Sequence, residues 1–232
     1  MLSRRGTYLG HVSIEEAIVA LKPKLRGWQH AGAVPAALAC GLILVLLAPS
    51  RLRLAAGIYA VSAVALFSIS ATFHRGAWRP RTSRVLQRLD HATIFVLIAG
   101  SITPFAAALL GGSAATLLWI VWCGAAVGMA FRIFWVGAPR WLTVPCYIAL
   151  GWSAAFYLPQ FWEAGGAAIV LLIGVGGLLY SVGAIVYALR RPDPSPRWFG
   201  YHEVFHSFTL GGFVSHYVAI SLAIYGATGL GR

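Results

Sequence analysis

His202 and His206 stand four residues apart, so on a helix they share one face and can ligate a single ion together. Ser70 and His74 repeat that spacing, which sets a hydroxyl one turn from an imidazole. Four of the six acidic residues, Glu15, Glu16, Glu163 and Asp193, fall in polar stretches, leaving Asp90 and Glu203 beside long apolar runs. His30, His74, His91, His202, His206 and His216 also lie at the ends of such runs or within them. Ionisable groups at hydrocarbon depth are costly and tend to mark function. Three imidazoles and a carboxylate in a low-dielectric setting match a zinc centre. His74, His202 and His206 are then the metal ligands, a fourth position is open to water, and Asp90 orients or deprotonates that water.

The elements that must bring these residues together are membrane spans. Of the 232 residues 59% are apolar and 10% charged, against about 25% charged in ordinary soluble domains. Seven predominantly apolar stretches, 29–48, 53–73, 91–110, 115–136, 142–159, 167–189 and 206–226, approach or exceed the roughly 18–20 residues a helix needs to cross the hydrocarbon. A large soluble helical core would show polar faces at helical period, and 167–189 shows none. The expected fold is an all-α membrane protein with seven transmembrane helices.

Basic residues retained on the cytoplasmic side orient it. Fifteen of the eighteen Lys and Arg fall before the first span or in alternate connections, and Arg51, Arg53 and Arg232 fall on the other side. That distribution predicts a cytoplasmic amino terminus, an outer carboxyl terminus and an odd number of spans. It also accounts for the net charge of +12 as topology and attraction to anionic headgroups, with no nucleic acid partner implied. Residues 1–28 read as a cytoplasmic segment without a cleavable signal pattern. Ser13 and Glu16 make a capping box there, and Ile14, Ile18 and Leu21 line one face of a short amphipathic surface helix. Residues 29–226 form the membrane domain, and 227–232 a short outer tail.

With this topology, His74 ends the second span, Asp90 and His91 begin the third, and His202 and His206 begin the seventh, all at one depth on the inner side. His30 and His91 read first as packing or headgroup residues. His216 is ten residues beyond His206, about 15 Å along a helix and too far to share the ion; it hydrogen-bonds between helices or lines a cavity above the site. Arg132 is expected to snorkel to the inner surface. Cys40, Cys123 and Cys146 lie within spans and read as packing residues, without a disulfide. A competing reading comes from His202-Glu203-Val204-Phe205-His206, which spells the HExxH protease signature. Glu203, however, would point away from the face shared by the two histidines.

Three motifs carry a resemblance to a known family. They are Ser70-Ala71-Thr72-Phe73-His74, Leu89-Asp90-His91-Ala92-Thr93-Ile94 running on to Thr103-Pro104-Phe105, and Phe199-Gly200-Tyr201-His202-Glu203-Val204-Phe205-His206. In this order the chain resembles the bacterial haemolysin III family, within the progestin and adipoQ receptor superfamily, over residues 22–226. The segments 22–28 and 135–141 resemble an actinobacterial branch. The adiponectin receptors hold zinc with one histidine of the second helix and two of the seventh, beside an aspartate of the third. The resemblance therefore implies His74, His202 and His206 as ligands, Asp90 on the water and Ser70 as a supporting hydroxyl. Alkaline ceramidases are similar too, which implies hydrolysis of a lipid amide or ester, with Asp90 and Ser70 as the catalytic pair and membrane lipids as partners. The alternatives are a non-enzymatic, zinc-stabilised receptor or regulator of membrane lipids and, ranked last for want of a polar stripe, a pore-forming cytolysin.

Overall fold

A computed structural model describes residues 23–226; the surface helix expected near residues 13–21 and the tail at 227–232 lie outside the described residues. The described chain is helical almost throughout. Its helices are α1 (Trp28–Leu47), α2 (Arg53–Arg75), α3 (Pro80–Leu109), α4 (Ala114–Phe134), α5 (Arg140–Trp152), α6 (Leu158–Gly165), α7 (Ala167–Leu189) and α8 (Tyr201–Gly226). Seven segments are long and apolar enough to cross a membrane, with α5, the 3-10 turn Ser153–Tyr157 and α6 together making the fifth. In that fifth segment Pro159 lacks an N–H and crowds the carbonyl of residue 155, so a regular helix cannot run through and the chain tightens into the 3-10 turn.

Contacts along the helices fix their directions. His74 at the end of α2 meets His202 at the start of α8, and Tyr59, earlier in α2, donates to the Phe213 carbonyl further along α8, so these two are antiparallel. α1 and α8 run the same way, since Gln29 donates to Ser207 near their starts and Tyr217 donates to the Cys40 carbonyl further along. Close approach relies on small residues, as is usual where no hydrophobic force drives helices together. A Cβ at Gly100 would lie 2.3 Å from Ser62 Oγ, and one at Gly128 would lie 2.3 Å from the Phe95 ring.

Two spans begin earlier than hydropathy alone places them. α3 starts at Pro80 rather than near residue 91, with proline in the first turn where its missing N–H costs nothing. At 30 residues it is about 45 Å long against about 30 Å of hydrocarbon. Arg81, Arg84 and Arg88 therefore ride on a helical extension and not in a loop. α8 starts at Tyr201, so His202 and His206 both sit in its first two turns.

Candidate metal centre

α2 ends at Arg75, which places Ser70 and His74 in its last two turns, and Asp90 faces them from α3. The helical repeat sets His202 and His206 on the inward side of α8, where both are buried. His74 Nε2 and His202 Nε2 are 3.1 Å apart. One ligand atom from each of His74, His202 and His206 falls within 4.8 Å of the others, a cluster that could hold a metal ion.

The donor set fits such an ion. Metal–nitrogen bonds of 2.0–2.1 Å in a tetrahedral arrangement separate donor atoms by about 3.3 Å, close to the His74–His202 spacing. His206 Nδ1 is buried without a hydrogen-bond partner among the described residues. Imidazole suits zinc, copper, iron or nickel, so the donors alone leave the metal open.

Asp90 stands at the edge of the cluster, with Oδ2 3.7 Å from His74 Nε2 and 3.7 Å from His91 Nδ1. Ser70 is buried in α2 and lines the same cavity as Asp90. His91 is occupied otherwise: Nδ1 donates to the Gln87 carbonyl at 2.7 Å, leaving Nε2 to accept from the Tyr187 hydroxyl at 3.4 Å. The bond to Tyr187 ties α3 to α7.

Glu203 faces away from the two histidines. Its wholly buried carboxylate pairs with Arg26 and accepts the Gly200 N–H at 2.8 Å. The HExxH reading needs that carboxylate as a free base, and here it ties the segment before α1 to the first turn of α8. Backbone bonds from Lys24 N to Arg197 O and from Leu25 N to Trp198 O extend the seam. Gly27 completes it: its φ is +78°, and a Cβ there would lie 2.8 Å from His74 Cβ, so glycine alone lets the chain pass this close to the cluster.

His30 is a residue the sequence reading undervalued. It is buried, with its ring stacked on His206 at a centroid distance of 3.8 Å and an interplanar angle of 11°, and neither of its nitrogens has a partner among the described residues. The depth argument that gathered the other histidines would have gathered His30, since it too sits just inside the inner end of a span. Arg132 also departs from expectation. Instead of snorkelling it is 3% exposed, with Nη2 donating to the Val136 carbonyl at 3.2 Å, because the chain after α4 folds back over it. His216 does bridge helices, through Nε2 to the Ile173 carbonyl at 3.3 Å.

A cavity of about 170 Å³ opens beside the cluster and runs along α3, α7 and α8, walled on a further side by the broken fifth span. Ser70, Asp90, His202 and His206 line one end and His216 the other, with mostly aliphatic and aromatic side chains between.

The sequence profile of haemolysin-III related proteins matches residues 19–217. The chain belongs to the haemolysin III family. Its similarity to a hemolysin-3 homolog of Bacillus subtilis (strain 168) is 37% identity over 157 residues, covering 67% of this chain and 70% of the relative. The human monocyte to macrophage differentiation factor is 25% identical over 178 residues, 75% of this chain and 71% of that one. A rice protein named heptahelical transmembrane protein ADIPOR2 is 33% identical over 184 residues, 72% of this chain and 80% of that one. Haemolysin III proteins are multi-pass membrane proteins, and the seven spanning helices of this member agree.

Proposed function

We propose that this haemolysin III protein is a zinc-dependent hydrolase of a lipid amide or ester, with its site near the cytoplasmic face. The observation that carries the reading is the cavity, in which a cluster of potential metal donors and a carboxylate share one end of an otherwise apolar space. Such a space suits a lipid whose acyl chain lies between helices while its carbonyl meets the polar end. The cytoplasmic placement rests on the basic residues around that end, including Arg75, Arg81, Arg84, Arg88 and Arg197.

His74, His202 and His206 would hold the ion. When bound at such a site, zinc polarises carbonyls and brings the pKa of water to about 7. Asp90 accepts the proton as a water oxygen bonds to the acyl carbon, and returns it to the leaving nitrogen or oxygen as the C–N or C–O bond breaks. The products are a carboxylic acid and an amine or alcohol. Ser70, buried at the same end of the cavity, offers its hydroxyl to the oxygen that gains charge. The seam from Lys24 to Gly27 against residues 197–203 covers this end and limits bulk water.

A second reading has one observation in its favour. His74 and His202 join two antiparallel spans, so an ion there could clamp the bundle of a non-enzymatic receptor or regulator. A panel of ceramides and other lipid amides and esters, incubated with zinc-loaded protein and with Asp90→Ala, separates the two. Acyl release by the wild type that falls at least about 100-fold in the variant supports the hydrolase. No release from any lipid, or equal release by the variant, would refute it.

A further inference from the structure

We propose that Glu203 and Arg26 are positioning residues for the metal centre: together they hold the first turn of α8, and the segment leading into α1, where His202 and His206 meet His74. This deepens the metal-binding part of the function proposed above, on which it rests, and is independent of hydrolysis.

The need for such a device lies in where the donors sit. His202 is the second residue of α8 and His206 the sixth. The first N–H groups of a helix have no partner inside it, so a first turn left unheld frays. Val204 N donates to the Gly200 carbonyl at 3.1 Å, which makes Gly200 the N-cap. Serine, threonine, aspartate or asparagine there would hold the turn with its own side chain, but a Cβ at Gly200 would lie 2.7 Å from Asp193 Oδ1. Two carboxylates take that part instead. Asp193 Oδ1 accepts the Tyr201 N–H at 2.8 Å, and Glu203 Oε2 reaches back to accept the Gly200 N–H at 2.8 Å. The second contact is half of a capping box, closed by the glutamate three residues into the helix.

Glu203 also reaches outside its own helix. Its other oxygen, Oε1, pairs with Arg26 Nε, and the carboxylate is wholly buried, whereas Asp193 is exposed. From Arg26 the chain passes directly to Gly27, which lies against His74, and then to His30, whose ring stacks on His206. One ion pair therefore links the turn that carries His202 to the stretch of chain that touches both other donors. A buried ion pair adds little net stability over apolar side chains, and its best-attested use is to fix one arrangement among several. Here the arrangement fixed is the spacing of the three imidazoles. Glu203 acts on it through the backbone of α8, with both oxygens turned to Gly200 and Arg26 and neither to the cluster.

The test uses full-length, detergent-purified protein, stripped of metal and titrated with zinc against a chelator and with cobalt(II), whose visible absorption reports donor geometry. Arg26→Gln and Glu203→Gln are each expected to weaken zinc about 10–100-fold and to change the cobalt spectrum. The double variant leaves no unpaired buried charge, so it keeps the fold where a single change loses it. It is expected to bind zinc about tenfold more weakly than the wild type, and no more weakly than either single variant, because the two residues act as a unit. Gly100→Ala, which strains packing at Ser62, about 18 Å along α2 from His74, is the control and is expected to keep the wild-type affinity and spectrum. Wild-type affinity in the double variant, or losses in the single variants that simply add, would overturn the proposal. An equal loss in Gly100→Ala would reduce the effect to general stability and overturn it too. A wild type that binds neither metal would remove the metal centre and the proposal with it, whereas metal bound as expected without hydrolysis of any lipid would remove only the hydrolase.

Discussion

The second, third and seventh spans differ from the other four in where their residues go. In the most apolar stretch of each, 50%, 67% and 44% of residues are buried within the bundle, against 22% in the first, fourth, fifth and sixth. The three buried spans supply His74, Asp90, His202 and His206. The sixth span is apolar all round, yet Leu171, Val175, Leu178, Val182, Ile185 and Leu189 form an exposed stripe along it. Its inward side carries Gly176 and Gly183, which lie against His216 and Phe208 of α8. Between helices in a bilayer, apolar character does not mark the inside, because lipid accepts it as well as protein does; small and polar residues mark it.

The sharpest way to break this contrast is to remove a donor from a buried span. His202→Ala should take the protein from about one bound metal per chain to none, by elemental analysis after detergent purification. A full complement of metal in that variant would remove His202 from the ligand set. Asp90→Ala is expected to keep its metal and lose turnover, separating the carboxylate from the donors. Packing gives the next effect. Gly100→Ala, in the third span, should destabilise the bundle by about 1–3 kcal/mol through its clash with Ser62, read as a lower melting temperature. Gly174→Ala, in the sixth, meets nothing within 4 Å and should shift stability by under about 1 kcal/mol. If both glycines responded alike, the division into interior and lipid-facing spans would fail. His30, on a mostly lipid-facing span, acts on the metal cluster and not on the stability of the bundle. His30→Ala should retain the metal but weaken it about tenfold in chelator competition, because the stacked ring that orients His206 is gone.

Much of this was legible in the residues themselves. Hydropathy marks seven spans, and charge asymmetry combined with two i, i+4 pairs gathers His74, Asp90, His202 and His206 at one depth. The misses have physical causes. Arg84, Arg88 and Asp90 hid the early start of α3, since hydropathy reports where hydrocarbon begins and not where hydrogen-bonded helix does. Arg132 reads as a surface residue because snorkelling is the cheaper fate of an isolated arginine, and only the tertiary fold buries it. His30 reads as a packing or headgroup residue because it stands alone at the mouth of its span; its stacking partner, His206, comes from the far end of the sequence. The ion pair between Arg26 and Glu203 is of the same kind, invisible to any local pattern.

The 128-residue separation of His74 from His202 also sets a clock. Chain growth at about 5–20 residues per second places on the order of ten seconds between the synthesis of these two donors. Throughout that interval His74 can be in the bilayer without either companion, and no stable coordination exists for it to join. An ion held by these three residues would therefore enter a bundle whose seventh span is already in place, and its loading would belong to the finished protein and not to its assembly.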